Sequence, residues 1–155
     1  KGFLELNKLL SKNKNLIFIF VILALILGGL SSSNTASDPW YLSLNKSELN
    51  PPGYIFGIVW PILYILMAIS AYITYQKVYQ LFYIQLLFNT AWSWIFFYLH
   101  QPIIALVDIY VLIIINIYFL FKMFNISNLA GYLYIPYIVW LCFASYLNLF
   151  IVLFN

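Results

Sequence analysis

Charged side chains are scarce in this sequence: they make up 7% of its 155 residues, against about 25% in an ordinary soluble domain. Arginine is absent, so lysine supplies every positive charge. A surface that faces water needs charges, and most of this surface is therefore expected to face lipid. The net charge of +3 forms no basic patch of the kind that binds nucleic acid, which excludes a nucleic-acid partner.

The residues of common catalytic and metal sites are equally scarce. One cysteine and one histidine exclude an intrachain disulfide and a cysteine- or histidine-rich metal site. The histidine, His100, lies in a predicted turn and is expected to be solvated. No glycine-rich phosphate loop or HExxH motif occurs, and Asp108 is the only acidic residue in an apolar run. Hydrolysis, phosphoryl transfer, a metal site and an obligatory cofactor are therefore not predicted.

Long apolar runs are what the sequence does contain, with 65% hydrophobic and 21% aromatic residues. After a basic N-terminal segment, residues 1–15, they predict one all-α membrane domain over residues 16–154. About 20 residues cross a bilayer as a helix, and lipid excludes open sheets and irregular chain because their backbone groups would stay unpaired. Five transmembrane helices are therefore predicted, at 16–33, 52–75, 78–99, 103–121 and 129–154, with a polar loop at 31–52.

The first predicted span is short, and it has a second interpretation. A basic start, an apolar middle and small residues near Ala36 are also typical of a secretory signal peptide. From the pattern alone, both interpretations stay open.

Lysine positions predict the orientation of the chain. If the N-terminus lies inside, Lys46 is the single outside lysine, and all the others are inside. The 31–52 loop and the C-terminus would then face outward. Two host membranes remain possible, a bacterial cell membrane and the outer membrane of an organelle.

Polar side chains inside the spans fall on one helix face in the third span. Gln85, Asn89 and Trp92 have the spacing i, i+4, i+7. Because unpaired amides in lipid cost free energy, these side chains are expected to point into the protein. Hydrogen bonds between helices and contact with a ligand explain the pattern equally well. Asp108 is expected to accept a hydrogen bond from an Asn, Tyr or Trp of another helix.

Two tryptophans, Trp60 and Trp140, lie in the middle of the second and fifth spans. Each has an aromatic or small residue one turn away, Phe56 and Ala144 respectively. Two such indole walls could sandwich a planar apolar ligand in a flat slot between them. Ordinary packing of a helix bundle is the alternative.

Three segments of the chain carry a combined pattern. They are Trp40-Tyr41-x-x-Leu44-x-Lys46 followed by Pro51-Pro52-x-x-x-Phe56-x-x-Val59-Trp60; Gln85-Leu86-x-x-Asn89-x-Ala91-Trp92 followed by Ala105-Leu106-x-Asp108; and Pro136-Tyr137-x-x-Trp140-x-x-Phe143-Ala144-x-x-Leu147-Asn148. Together, over about residues 36–150, they resemble the translocator protein family, also called tryptophan-rich sensory proteins or peripheral-type benzodiazepine receptors.

The resemblance implies a five-helix bundle in which the 31–52 loop covers a pocket. It also implies binding of porphyrins, haem-related tetrapyrroles, sterols and benzodiazepine-type drugs. The implied ligand contacts are Tyr41, Pro51, Phe56, Trp60, Asn89, Trp140, Ala144 and Leu147. Trp60 and Trp140 correspond to tryptophans linked to porphyrin breakdown in bacterial members, and would be catalytic if this chain degrades porphyrin. Gln85, Trp92, Asp108 and Asn148 are assigned structural roles.

The chain departs from the family pattern at several positions. Ser47 stands where proline is frequent, and no basic residue follows Lys122, so the C-terminal sterol-recognition motif is absent. Gln80 and Ile84 occupy the small-residue positions of a dimer face on the third span. Whether the chain forms a homodimer therefore stays an open question. The leading hypothesis is a membrane receptor for planar apolar ligands. Porphyrin degradation, transport of tetrapyrroles or sterols, and a purely structural role are the alternatives.

Overall fold

The computed structural model describes residues 1–155, and every regular element in it is helical. The helices are α1 (Gly2–Lys12), α2 (Leu16–Ser32), α3 (Pro39–Ser43), α4 (Gly53–Ile73), α5 (Tyr75–Ser93), α6 (Pro102–Ile126) and α7 (Asn128–Phe154), with one stretch of π-helix, Trp94–Tyr98, continuing α5. The five long helices, α2 and α4 to α7, pack against one another around a shared apolar core.

Three helices, α4, α6 and α7, are long and apolar enough to cross a membrane. α1 and α2 form a fourth such segment only if they are counted together, and they are bent by 106° at the break between them. α5 is long enough but carries polar side chains, among them Gln76, Lys77, Gln80, Gln85 and Asn89. The five predicted transmembrane helices thus correspond to five long helices, of which three or four meet the criteria of length and composition.

The long helices extend beyond two of the predicted span ends. α5 begins at Tyr75 rather than at residue 78, because only Thr74 separates it from α4. α6 continues past residue 121 to Ile126. The Lys122 ammonium lies 5.6 Å from the centre of the Tyr118 ring, and a long lysine side chain of this kind can reach out of an apolar region without ending the helix.

The basic N-terminal segment forms a helix that the sequence analysis did not predict. α1 packs against the start of α5, where the Tyr75 hydroxyl donates to the Leu10 carbonyl at 2.7 Å and the Tyr79 hydroxyl to Asn7 Oδ1 at 2.9 Å. The side chains of Phe3 and Leu6 remain exposed. An amphipathic helix with an uncovered apolar side and lysines opposite is typical of the membrane interface.

Buried polar side chains join four helices through a hydrogen-bond network, called the amide network below. Its members are Tyr64 of α4, Gln85 and Asn89 of α5, Asn116 of α6, and Tyr134 and Tyr137 of α7. At its centre, Gln85 Oε1 accepts from the Tyr137 hydroxyl at 2.8 Å and from Asn116 Nδ2 at 3.1 Å. Asn116 Oδ1 accepts from the Tyr134 hydroxyl. These contacts hold α5, α6 and α7 in one register.

The same network reaches α4 through Asn89. Asn89 Oδ1 accepts from the Tyr64 hydroxyl, and Asn89 Nδ2 donates to the Tyr137 hydroxyl at 2.8 Å. A separate link follows one turn along α5, where Trp92 Nε1 donates to Asn148 Oδ1 at 3.0 Å. All three members of the polar face predicted on the third span, Gln85, Asn89 and Trp92, therefore point into the protein.

Asp108 does not have the hydrogen-bond donor that was predicted for it. It lies on the buried face of α6, and its Oδ2 is buried without a hydrogen-bond partner. The prediction of an Asn, Tyr or Trp partner for Asp108 is thus wrong.

Candidate functional site

A cavity of about 880 Å³ lies inside the bundle, beneath residues 33–52, which are called the lid loop below. Side chains of the lid loop and of α2, α4, α5, α6 and α7 line it, and most of its surface is apolar. Its volume falls within the range of small-molecule sites, roughly 300–1,000 Å³. Seven of the eight ligand-contact residues predicted from the sequence line this cavity: Tyr41, Pro51, Phe56, Trp60, Asn89, Ala144 and Leu147.

The eighth residue, Trp140, contacts Trp60 but does not line the cavity. The two indole rings have centroids 6.1 Å apart and planes at 87°, so they touch edge to face. Aromatic pairs favour this geometry because the positive edge of one ring meets the negative face of the other. The predicted flat slot between the two indoles is therefore wrong. The space for a ligand lies beside Trp60, on the side of the lid loop and Phe56.

Trp140 stands behind Trp60 in an aromatic cluster. Its ring centroid lies 5.9 Å from that of Phe56 and 5.4 Å from that of Phe143. Its Nε1 is buried and has no hydrogen-bond partner. Trp140 therefore supports the wall that Trp60 and Phe56 present to the cavity.

Two polar groups in the cavity wall keep hydrogen-bonding capacity. Asn89 gives one N–H to Tyr137 and its oxygen to Tyr64, which leaves the second N–H of its amide free. The Tyr41 hydroxyl makes no hydrogen bond within the protein, and its ring packs against Phe97. Both groups can donate a hydrogen bond to a molecule in the cavity, although the amide network uses most of the capacity of Asn89.

A proline inside α4 leaves one carbonyl of the helix without its usual intrahelical hydrogen bond. Pro61 has no N–H, so it cannot make the intrahelical bond to the carbonyl of Gly57. Gly57 and Pro61 both line the cavity next to Trp60. This carbonyl was missed in the sequence, although a proline within an apolar helical run indicates an unpaired carbonyl four residues before it.

Further lining residues were assigned other roles or missed. Trp92 and Asn148, assigned structural roles, are hydrogen-bonded to each other and also border the cavity. Tyr64, which shares the helical spacing of Phe56 and Trp60 in the sequence, also lines the cavity. Lys46 borders the cavity from the lid loop, and no helical period could have indicated that position.

The lid loop is attached to the bundle at both of its ends. Near its start, Asp38 Oδ2 lies 3.1 Å from His100 Nε2, and the Trp40 ring stacks on His100 with centroids 4.2 Å apart. Near its end, the hydroxyls of Ser47 and Tyr146 lie 3.0 Å apart. His100 is exposed, as expected, although it also contacts Asp38 and Trp40. Ser47, which stands where the family often has proline, forms a hydrogen bond with Tyr146 of α7.

We expect His100→Gly to be more stable than His100→Ala by about 1 kcal/mol. His100 is the only non-glycine residue with positive φ, at 55°, a conformation that costs an L-residue roughly 1–2 kcal/mol and glycine little. Both variants lose the Asp38 and Trp40 contacts equally, so their difference isolates the backbone. Unfolding by titration with a denaturing detergent in mixed micelles measures it, and equal stabilities would contradict the argument.

Known proteins resemble this chain over most of its length. The family model described as the TspO/MBR family matches residues 17–153. The tryptophan-rich protein TspO of Archaeoglobus fulgidus is 35% identical over 144 residues, which are 88% of this chain and 94% of that protein. The protein of the same name in Chlorobaculum tepidum is 33% identical over 156 residues, 92% of this chain and 99% of the relative. The human translocator protein is 32% identical over 119 residues, 70% of each chain.

Proposed function

The chain belongs to the TspO/MBR family, and on that premise we propose that it is a membrane receptor for porphyrins, haem-related tetrapyrroles and other planar apolar molecules. The observation that carries the proposal is the cavity of about 880 Å³ beneath the lid loop, walled by Phe56 and Trp60. Apolar burial there would contribute roughly 25 cal/mol per Å² of ligand area removed from water. The free N–H of Asn89, the Tyr41 hydroxyl and the Gly57 carbonyl would orient the ligand.

The proposed receptor crosses the membrane five times. α2, which has 17 residues, and α5, which carries polar side chains, are the two spans that length and composition together do not identify. α2 buries Ile17, Val21 and Ala24 against the bundle, which supports its place in the fold. The amides Gln85 and Asn89 of α5 are buried and hydrogen-bonded. They therefore do not add the free-energy cost of exposing an unpaired amide to lipid, and α5 can cross the membrane.

The proposed orientation has the N-terminus on the cytoplasmic side if the host is a plasma membrane. Contacts within the chain support a division into two ends. α1, which carries Lys8 and Lys12, packs on the start of α5 near Lys77. The lid loop with Lys46 lies instead against the C-terminus, where the Asn45 backbone N–H donates to Asn155 Oδ1 at 2.8 Å. The positive-inside rule then favours the α1 end as the inner one.

Protoporphyrin IX is the first ligand to test, and a cavity-filling variant tests the site. Ala144 is buried and lines the cavity, so Ala144→Phe places a ring where a ligand would lie. We expect it to weaken binding about tenfold, in line with the cost of overpacking a filled site, about 1–3 kcal/mol. Binding is measured by thermal stabilisation in detergent, alongside haem, a sterol and a benzodiazepine-type drug.

Val139→Phe is the matched control for this experiment. Val139 lies on the same helix but is 61% exposed, so the added ring meets lipid or detergent instead of the cavity. Its affinity for protoporphyrin should equal that of the wild type. Failure of every compound to stabilise the wild type would refute the proposed function, and equal binding by Ala144→Phe would refute the site.

A further inference from the structure

Lys46 is the only lysine in the wall of the cavity, and no Asp or Glu lines the cavity with it. It enters from the lid loop, at the mouth of a space that is otherwise mainly apolar. Trp60 and Phe56 lie on the α4 side of the same space. A single cation at one edge of an apolar cavity is a chemical feature that a wholly apolar ligand would leave unused.

No carboxylate of the chain neutralises Lys46. The only contact within 4 Å between an acidic side chain and a basic or histidine side chain in the structure joins Asp38 to His100. Glu48, two residues along the lid loop, is exposed and does not pair with Lys46. The Lys46 ammonium lies 4.3 Å from the centre of the Tyr41 ring and 3.5 Å from the Leu44 carbonyl. These contacts hold the charge at the cavity without cancelling it.

The surroundings of Lys46 favour an anion from outside the chain. Lys46 is partly buried, and this burial lowers the pKa of its ammonium from the ordinary value. A partly desolvated charge without a counter-ion is costly, and an anionic ligand group would remove that cost through a charge-assisted hydrogen bond. The Tyr41 hydroxyl, which has no partner within the protein, lies on the residue that Lys46 contacts and could donate to the same anion.

We propose that Lys46 binds a carboxylate at the edge of the ligand, so that the preferred ligands are planar apolar acids. This inference rests on the proposed function and narrows it. The apolar body of the ligand lies against Trp60 and Phe56, and its carboxylate meets Lys46 and Tyr41 at the mouth beneath the lid loop. Neutral molecules such as sterols and carboxylate esters can fill the same cavity, but they lack the group that Lys46 recognises.

Protoporphyrin IX and its dimethyl ester test the proposal as a matched pair, because they share one ring and differ in the carboxylates. Dissociation constants are measured by quenching of tryptophan fluorescence in detergent, for the wild type and for Lys46→Gln. We expect the wild type to bind the acid about tenfold more tightly than the ester. Lys46→Gln should weaken binding of the acid about tenfold and of the ester less than twofold. Differences in partitioning into micelles cancel when each ligand is compared between the two proteins.

Lys77→Gln and Glu48→Gln are the controls for loss of charge. Lys77 lies at the opposite end of the bundle, near α1, and Glu48 makes no salt bridge with Lys46. Neither substitution should change the ratio of acid to ester affinity. An unchanged ratio in Lys46→Gln would overturn the role of Lys46 while leaving the receptor function in place. If the wild type binds neither compound, the receptor function fails, and this proposal fails with it.

Discussion

Gln85→Leu should lower the free energy of unfolding by about 2 kcal/mol, although leucine suits a membrane helix better than glutamine does. Gln85 is fully buried, and its Oε1 accepts from both Tyr137 and Asn116. Leucine removes that acceptor and leaves the Tyr137 hydroxyl proton without one. Asn116 keeps its bond to the Leu112 carbonyl at 2.8 Å. An orphaned buried donor costs roughly 1–3 kcal/mol.

The membrane setting limits this effect. Hydrogen bonds between membrane helices average roughly 0.6 kcal/mol in double-mutant cycles, because the unfolded chain in lipid also finds partners. Loss of the two bonds to Oε1 and of the weaker bond from Nε2 to Met67 Sδ at 3.5 Å, together with one orphaned hydroxyl, therefore supports a value near 2 kcal/mol and not a larger one. Unfolding by titration with a denaturing detergent in mixed micelles measures the difference.

A control and a double variant make the prediction specific. Gln80→Leu changes the same residue type on the same helix, but Gln80 is exposed and bonded only at the periphery, to Asn7 and Tyr79. It should change stability by less than about 0.5 kcal/mol, as surface substitutions usually do. Gln85→Leu combined with Asn116→Leu should cost less than the sum of the two single changes, because the residues share one bond. Strict additivity would contradict a connected network.

The amide network also indicates which features the sequence could predict. Gln85, Asn89 and Trp92 share a helix face in the sequence, and amides in an apolar helix turn inward for a simple energetic reason. The tyrosines that complete the network, Tyr134 and Tyr137, look like any other aromatic residue of an apolar run. Their partners depend on the rotation and register of α6 and α7 relative to α5, which no local pattern encodes.

The lid loop and α1 illustrate the same limit at longer range. The contact of Asp38 with His100 joins residues 62 positions apart, and it brings a turn residue that was expected to be solvated onto the loop. α1 was missed although its apolar residues and its lysines have the spacing of an amphipathic helix, because its 11 residues are too few and too polar for a membrane span. The family itself was identified from the sequence, and the comparisons confirm it, because its motifs are local strings of residues.

The second large predicted effect is on ligand affinity, and it differs between the two tryptophans. Sequence spacing treats Trp60 and Trp140 alike, as two walls of one slot. In the structure only Trp60 lines the cavity. Trp140 packs against the Trp60 ring, and the planes of the two indoles meet at 87°. The orientation of an indole depends on side-chain torsions and neighbours, such as Phe56 and Phe143 around Trp140, and these lie beyond what spacing can predict.

Trp60→Ala should therefore weaken protoporphyrin binding far more than Trp140→Ala. Loss of about 100 Å² of apolar contact costs about 2.5 kcal/mol at 25 cal/mol per Å², which is roughly fiftyfold or more in the dissociation constant. Trp140→Ala removes only the edge-to-face support of Trp60, worth about 0.5–1.5 kcal/mol, and we expect roughly a fivefold loss. Because both changes alter the protein's own fluorescence, binding is measured by the shift of the porphyrin absorption band.

Trp94→Ala is the control, since Trp94 does not line this cavity and its loss should leave the affinity unchanged. Equal losses for Trp60→Ala and Trp140→Ala would favour the two-walled slot that the sequence suggested over the one-sided wall in the structure. The same absorption measurement separates binding from degradation of the porphyrin, because binding shifts the band whereas degradation under light and oxygen removes it. If degradation depends on the indole next to the ligand, Trp60→Ala should slow the loss of the porphyrin band. Trp140→Ala should slow it less, because Trp140 acts only by holding the Trp60 ring in place.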